Sequence, residues 1–529
     1  MTAKTNRPVG RPPKLETLVA RAVSQAIKKD TTPAKGTNKR KVQARYDAAG
    51  QGRRMASWNP ARTSPNSALV GVERIRERAR DSSRNDWSAA SLVQKWTTSL
   101  VGIGITPRWK KIKAKTKKEK VVKLFLQWAR KADADCVLDI FGMQTMVVRT
   151  WFDGGECFAR KRRRFPDSGL PVPLQIQLLE ADMCPMLDST AQKGLPEGNE
   201  IKSGIEFDKR GQRIAYWFYK SHPGDRIVTY NGEELVRVAA SEVCHIFEPK
   251  RPGQIRGVSE AAPILARLRN TVDLEDATLE RQKLANLFVA FVKKTMPDFD
   301  PYADDKDPLT GETIEDDDYV PPAPINGMQP GAVQVLDEGE SMEFANPPEA
   351  GTTYSDYVRT MQLGTSAGGG LPYELMSGDI LNISDRALRI TMNEFRRFAE
   401  QRQWQIVIPM FCQPVIDWFA EAAVIAGLID ESDFEAVTDV EHSPHGWPDI
   451  HPTQDIEGRI AAVTAGFRSQ SSVISARGDD PDTVAEEQAE DDARMQRLKI
   501  GPYSKASQLA AKPAPAAGDK TQEPEPAAA

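Results

Sequence analysis

The pattern of apolar and polar positions changes character twice along the chain. Over residues 67–80 and 87–100 apolar residues return every three to four positions, the spacing of a half-buried helix. In the second run Leu92, Trp96 and Leu100 fall four apart, and Gly102 and Gly104 follow where a helix should stop. Residues 121–131 and 139–152 read as shorter helices. From 155 to 245 the texture becomes that of short strands: PLQIQLLE, GIEFD, RIAYWFY and RIVTYNGEELVRV, with Asn231-Gly232 placed for a tight hairpin. Helical spacing returns over 259–292, where Leu265, Leu268, Val272 and Leu279 share a face. A strand pair, AVQVLDE and SMEFA, is expected to flank Gly339. The remainder reads as helices over 353–363, 384–408 and 415–427, the last two kinked or broken by Pro409 and Pro414. Helices, then a β-rich middle, then long helices predict an α+β multidomain chain.

Length agrees: 529 residues imply several packed units. Five scattered cysteines (Cys136, Cys157, Cys184, Cys244, Cys412) form no CxxC pair, so free thiols in a reducing compartment are expected rather than a disulfide framework. No run approaches the roughly 20 apolar residues of a membrane span. The strongest, 415–429, is interrupted by Asp417 and Glu421, and the N-terminus has no apolar signal region. A soluble chain made in the cytoplasm, with no membrane partner, is the expectation.

Charge is balanced overall, 71 Lys+Arg against 74 Asp+Glu, which excludes a uniformly basic coat on nucleic acid. It is not balanced locally. Residues 1–54 hold fourteen Lys/Arg against Glu16, Asp30 and Asp47 and read as a disordered basic arm. Residues 298–318 hold ten acids against Lys306 and end in Glu315-Asp316-Asp317-Asp318. The Ala/Pro-rich residues 501–529 read as a disordered tail.

Most catalytic signatures are missing. Gly518-Asp519-Lys520-Thr521 imitates the end of a phosphate loop without its first glycine, and Gly102-Ile103-Gly104 does not continue into a dinucleotide fingerprint. HExxH does not occur. His442, His445 and His451 form the one metal-like group, in a turn-rich stretch where three imidazoles need not converge. Cys157 and His245 are a formal nucleophile–base pair, but Cys157 sits in a strand-like GECFAR and nothing orients either residue, so a core thiol is the expectation. No catalytic residue, metal or cofactor is expected. Two basic runs remain. Lys110, Lys111, Lys113, Lys115, Lys117, Lys118 and Lys120 read as a solvated loop face. Arg160, Lys161, Arg162, Arg163 and Arg164 lie between strands, where phosphate or partner contact and plain solvation both stay open.

A wider likeness runs through the chain in order: ARDSSRNDWSAASLVQKWTTSLVGIGITPRW, WFDGGECFARKRRR, LQIQLLEADM, GIEFDKRGQRIAYWFY, VCHIFEPKRPGQIRGVSEAAPIL, LDEGESMEFANPP, LGTSAGGGLPYELMSGDILNISDRALR and PVIDWFAEAAVIAGLI. This series resembles tailed-bacteriophage portal proteins of the lambda family over about two-thirds of the chain. It departs at the acidic 298–318 segment and at Ile383, where the family usually carries an aromatic residue.

The resemblance implies a homo-oligomeric ring, usually of about twelve copies, at one capsid vertex of the virion. Double-stranded DNA would be packaged and ejected through it. The large terminase subunit, major capsid and scaffold proteins and neck or adaptor proteins would be its partners. By the same likeness, 55–257 forms a wing, 258–292 a stem helix, 293–347 a clip carrying the acidic loop, and 348–366 a second stem helix. A tunnel loop follows at 367–385, then a long kinked helix over 386–429 shared by wing and crown, and a crown over 430–500. Met376, Gly378, Asp379, Ile380, Leu381, Asn382 and Ile383 would face DNA, and Glu315, Asp316, Asp317 and Asp318 would receive the motor. Competing expectations are a non-ring phage head or neck protein, a nucleic-acid-binding scaffold using the basic arm, and a Cys/His hydrolase.

Overall fold

The computed structural model describes residues 62–225, 235–287, 290–294, 309–310, 340–344, 354–381 and 383–498. The basic arm, the tail, the Asn231-Gly232 turn and nearly all of the acidic 298–318 segment, including Glu315–Asp318, lie outside them.

Among the described residues, helices α1 (Val72–Asn85) and α2 (Trp87–Leu100) precede strand β1 (Thr106–Arg108), α3 (Lys115–Ala129) and α4 (Ile140–Gly154). Asp86 separates the first two by capping α2, its carboxylate accepting from Ser88 N at 2.7 Å. Strands β2 (Glu156–Arg163), β3 (Leu174–Glu180), β4 (Glu200–Lys202), β5 (Ile205–Phe207), β6 (Arg213–Tyr219), β7 (Leu235–Ala239) and β8 (Val243–Phe247) follow. They form two antiparallel sheets, ordered β3-β2-β8 and β4-β5-β6-β7. Their facing sides share a small core of Phe158, Leu179, Tyr216, Phe218 and Val238. The opposite side of β2, with Cys157 and Ala159, joins the large helical core around Trp96, Trp128, Trp151 and Phe419.

Beyond the sheets come α5 (Leu265–Leu287), β9 (Ala290–Lys294), β10 (Glu340–Phe344), α6 (Tyr354–Gly369), α7 (Tyr373–Ser377) and α8 (Asp385–Arg402). Two expectations are corrected here. The stem-like helix is shorter than 259–292, because its last residues form a strand. SMEFA pairs with that strand, Phe344 facing Ala290, while AVQVLDE, its expected partner, lies outside the described residues. The later helix runs through Gly364 and Gly368 to Gly369 instead of stopping at 363. There glycine serves packing. A Cβ on Gly368 would lie 2.5 Å from Ile264 Cγ2 and one on Gly369 2.9 Å from Leu92 Cδ2, so bulk is excluded where α6 meets its neighbours.

Pro409 does not break its helix. Residues Gln403–Cys412 form a π-helical segment between α8 and α9 (Gln413–Ile425), and the wider turn accommodates the proline within an unbroken helical run. This run, Asp385–Ile425, is long and apolar enough by length and composition to cross a bilayer, contrary to the sequence estimate. Its most apolar stretch is 61% buried in this fold, which accounts for the apolarity as core. The chain then continues through α10 (Phe434–Thr438), β11 (Glu441–Ser443), α11 (Pro452–Thr464), α12 (Gln470–Ala476) and α13 (Pro481–Leu498). Strand β11 returns to pair antiparallel with β1, and Trp109 Nε1 donates to Val437 O at 2.8 Å.

Candidate functional site

The loop between α7 and α8 is built by local hydrogen bonds around one turn. Gly378 caps α7 at φ +73°, a left-handed conformation that admits glycine at little cost, and nothing stands within 4 Å of where its Cβ would be. Asp379 then ties the turn. One carboxylate oxygen accepts from Leu381 N at 3.0 Å, the other from Tyr373 Oη at 3.1 Å, and its own amide donates to Ser377 Oγ at 3.1 Å. Ser384 caps α8 by accepting from Ala387 N at 3.2 Å. The result is a braced loop whose apolar tip is displayed: Ile380 is 69% exposed and Leu381 73%. Ile383 is half-buried, and Asn382 lies outside the described residues.

Met376 is the correction within this group. It belongs to α7, is buried in the helical core, and its carbonyl accepts from Ser91 Oγ at 2.7 Å, so it is not a loop-surface residue. Arg359 is what the sequence reading missed. Its guanidinium lies over the Tyr373 ring at 5.5 Å and 4.0 Å from Asp379, placing one cation beside the loop. Only helical phasing of α6 against the loop reveals it.

The segment leading to α5 is fastened to the sheets by a buried charge cluster. Glu156 and Arg256 are both fully buried. Glu156 Oε1 accepts from Arg256 Nε at 2.8 Å, and Glu156 Oε2 accepts from Gly257 N at 2.8 Å and contacts His245 Nε2 at 3.0 Å. Arg76 reaches the same carboxylate at 3.5 Å and Asp182 at 2.6 Å. Burial would raise the Glu156 pKa, but the Arg256 charge and the His245 bond outweigh it and hold the carboxyl well below its usual range. Burial pushes the His245 pKa down to about 4 against the opposing pull of Glu156, so its imidazole is neutral and donates through Nε2. The backbones cross tightly here. A Cβ on Gly257 would fall 2.0 Å from Gly155 O, so the segment leading to α5 lies directly on the start of β2.

The remaining candidates separate. Cys157 and His245 lie on neighbouring strands, but Phe158 is the residue opposite His245, so the thiol and imidazole point to different sides of the sheet. Burial raises the Cys157 thiol far above its ordinary value, leaving it protonated and inert. The three histidines do not converge. His442 Nε2 lies 3.0 Å from Gln413 Oε1, His451 Nε2 lies 2.7 Å from Asp385, and His445 packs beneath Gly102. Glu180, Asp182 and His222 do come together, but Arg80 and Arg76 already neutralise the two carboxylates at 2.9 and 2.6 Å, which disfavours a metal ion.

The lysine run is not a loop face: from Lys115 onward it is the first turns of α3. Lys110 pairs with Glu441, Lys111 with Asp439, Lys115 with Glu486, Lys117 with Asp433 and Lys118 with Asp482, so five of its seven cations are engaged by residues 430–490. The arginine run is split by strand alternation. Lys161 is buried and pairs with Glu421 at 2.6 Å, with Arg163 beside it, whereas Arg160 and Arg162 face the other side. Arg164 donates to Gln175 Oε1 at 2.8 Å.

The chain is similar to known proteins along most of its length. Residues 51–403 match the family described as phage portal protein, lambda family. The chain is 25% identical to a probable portal protein of Halomonas phage phiHAP-1 over 92% of its length and 94% of that protein's. It is 23% identical to the portal protein of Escherichia phage N15 (86% and 90% covered) and 22% to portal protein B of Escherichia phage lambda (86% and 89%). Solved chains from the neck of a native gene transfer agent particle and from its virion align with TM-scores of 0.41 and 0.39, at 12% and 13% identity. They cover 80% and 81% of this chain and 95% and 98% of theirs. With the family match spanning well over half its residues, the chain belongs to the lambda family of phage portal proteins.

Proposed function

We propose that this structural, non-enzymatic portal chain forms a closed ring, of about twelve copies, at one vertex of the virion capsid. Double-stranded DNA passes through the ring during packaging and ejection. The family match over 51–403 carries the reading, and the exposed tip of the 378–384 loop gives it a DNA-facing element. Residues 265–287 and 354–369 then act as the stem, the sheets and their helical core as the wing, 430–498 as the crown, and the strands 290–294 and 340–344 as the base of the clip. The large terminase subunit and later neck proteins dock at the clip, where the acid-rich 298–318 segment steers basic partner surfaces, while capsid and scaffold proteins meet the outside of the ring.

Ile380 and Leu381 suit a sliding contact. An apolar tip meets a duplex carrying one charge per about 1.7 Å without forming an ion pair that would hold it in place. Arg359 is kept from the phosphates by its stacking on Tyr373 and its approach to Asp379. The test is a chain carrying Ile380→Ser and Leu381→Ser. Rings with a central hole should still appear in negative-stain images, while packaged genomes leak or remain incomplete. Full-length DNA retained at the parent level would overturn the assignment of the loop.

A further inference from the structure

The arginine run resolves into two functions once β2 is followed residue by residue. Its even positions, Phe158, Arg160 and Arg162, point into the space between the two sheets, where Phe158 belongs to the sandwich core. Its odd positions face the helices, where Lys161 and Arg163 meet Glu421 at 2.6 and 3.6 Å. Beyond Leu179 and Phe218 the sheets part and leave a cavity of about 270 Å³, lined by Arg160, Arg162, Gln177 and Lys220 above an apolar floor.

No carboxylate pairs with Arg160, Arg162 or Lys220 among the described residues, although the other face of the same strand is fully paired. Arg160 Nε is buried without a hydrogen-bond partner. Burial and the neighbouring Arg162 lower the Arg160 pKa, against a smaller upward pull from Glu242, whose carboxylate pairs with Arg163. A partly desolvated guanidinium beside a second cation opposes folding unless an anion completes it. Two arginines on one strand face, their backbones about 7 Å apart, present forked donors matched to oxyanions.

We infer that this inter-sheet cavity is a docking site for an acidic, extended peptide segment of a partner protein, one that sets a carboxylate between Arg160 and Arg162 with an apolar neighbour on Leu179 and Phe218. Shape selects peptide over duplex DNA. The recess accepts one or two side chains, whereas a duplex carries its phosphates along the outside of a wide rod and cannot enter it. The site is independent of the channel loop, so it stands or falls separately from the conduit reading.

The experiment uses the full-length chain as purified and a fluorescein-labelled EDDDYV peptide, the acid-rich run this chain itself carries at 315–320. Anisotropy should show saturable binding that weakens with salt and falls at least tenfold in Arg160→Gln/Arg162→Gln and in Lys220→Gln. Arg163→Gln, on the opposite face, should bind as the parent does. Melting temperatures of the double variant should match or exceed the parent's, because no partner is lost. The inference is overturned by absent saturable binding, by equal loss in Arg163→Gln, or by a 20-base-pair duplex or inorganic phosphate competing as well as unlabelled peptide.

Discussion

Glu156→Gln is the most incisive perturbation of the charge cluster that holds the α5 segment to the sheets. The substitution keeps the shape of the side chain and removes its charge. In the parent, the carboxylate accepts from Arg256 at 2.6 and 2.8 Å, from Gly257 N at 2.8 Å and from His245 at 3.0 Å. A glutamine has one acceptor oxygen for these donors and turns its own NH₂ toward one of them. At least one buried donor is left unsatisfied, at about 1–3 kcal/mol, and Arg256 loses its buried counter-charge. Breaking such a pair costs about 3–5 kcal/mol. At about 2–4 °C per kcal/mol, the melting transition should fall by about 10 °C. Arg256→Gln should cost a similar amount, and the Glu156→Gln/Arg256→Gln double variant should cost clearly less than the two added together, because each single change has already broken the pair. Circular dichroism melts of the four proteins test this. A drop below about 2 °C for Glu156→Gln, or strict additivity, would refute the view that this cluster carries the junction.

Two further predictions follow from the same geometry. Gly368→Leu should destabilise by about 1–3 kcal/mol through overpacking against Ile264, while Gly364→Ala should be neutral or slightly stabilising, because the side chain it meets, Arg267, is exposed and can swing aside; comparable melts for the two would count against the packing role of α6. Stability should fall as pH drops from about 6.5 towards 4: burial holds His245 and His442 at about 4 in the fold, so the unfolded chain binds their protons first, and each costs about 2 kcal/mol by pH 5. Asp153 and Glu260, raised by burial, oppose this trend, so the decisive comparison is His442→Gln, which should flatten the slope between pH 7 and 5.

The sequence was informative where one periodicity dominated. Trp87–Leu100 was legible to the residue because Leu92, Trp96 and Leu100 set its buried face. The strands over 155–245 were legible as a class because their alternation is local. What the sequence hid was partnership. SMEFA was recognisable as a strand, but nothing within it names Ala290–Lys294 as a neighbour. GTSAGGG suggested a helix end because glycine usually marks one, and only the approach of Ile264 and Leu92 explains a helix there. The 378–384 loop was marked out by the family likeness, yet Met376 could not be told from Ile380 without knowing that α7 turns it inward. The arginine run looked uniform in sequence because alternation matters only once β2 has sheets and helices on opposite sides.

The return of β11 to β1 has a consequence for the order in which the chain is made. The two strands lie 337 residues apart, a closure costing about 5 kcal/mol of chain entropy. At about 5–20 residues per second, the ribosome finishes Thr106–Arg108 roughly 20–70 s before it delivers Glu441–Ser443. Throughout that interval β1 is an unpaired edge, Trp109 lacks the carbonyl of Val437, and the lysines from 110 to 118 lack the acids that engage them. Closure of this edge therefore records that synthesis has passed residue 443. A chain terminated early keeps an open strand and a bare cationic strip, features by which an incomplete subunit differs from a finished one before any ring is built.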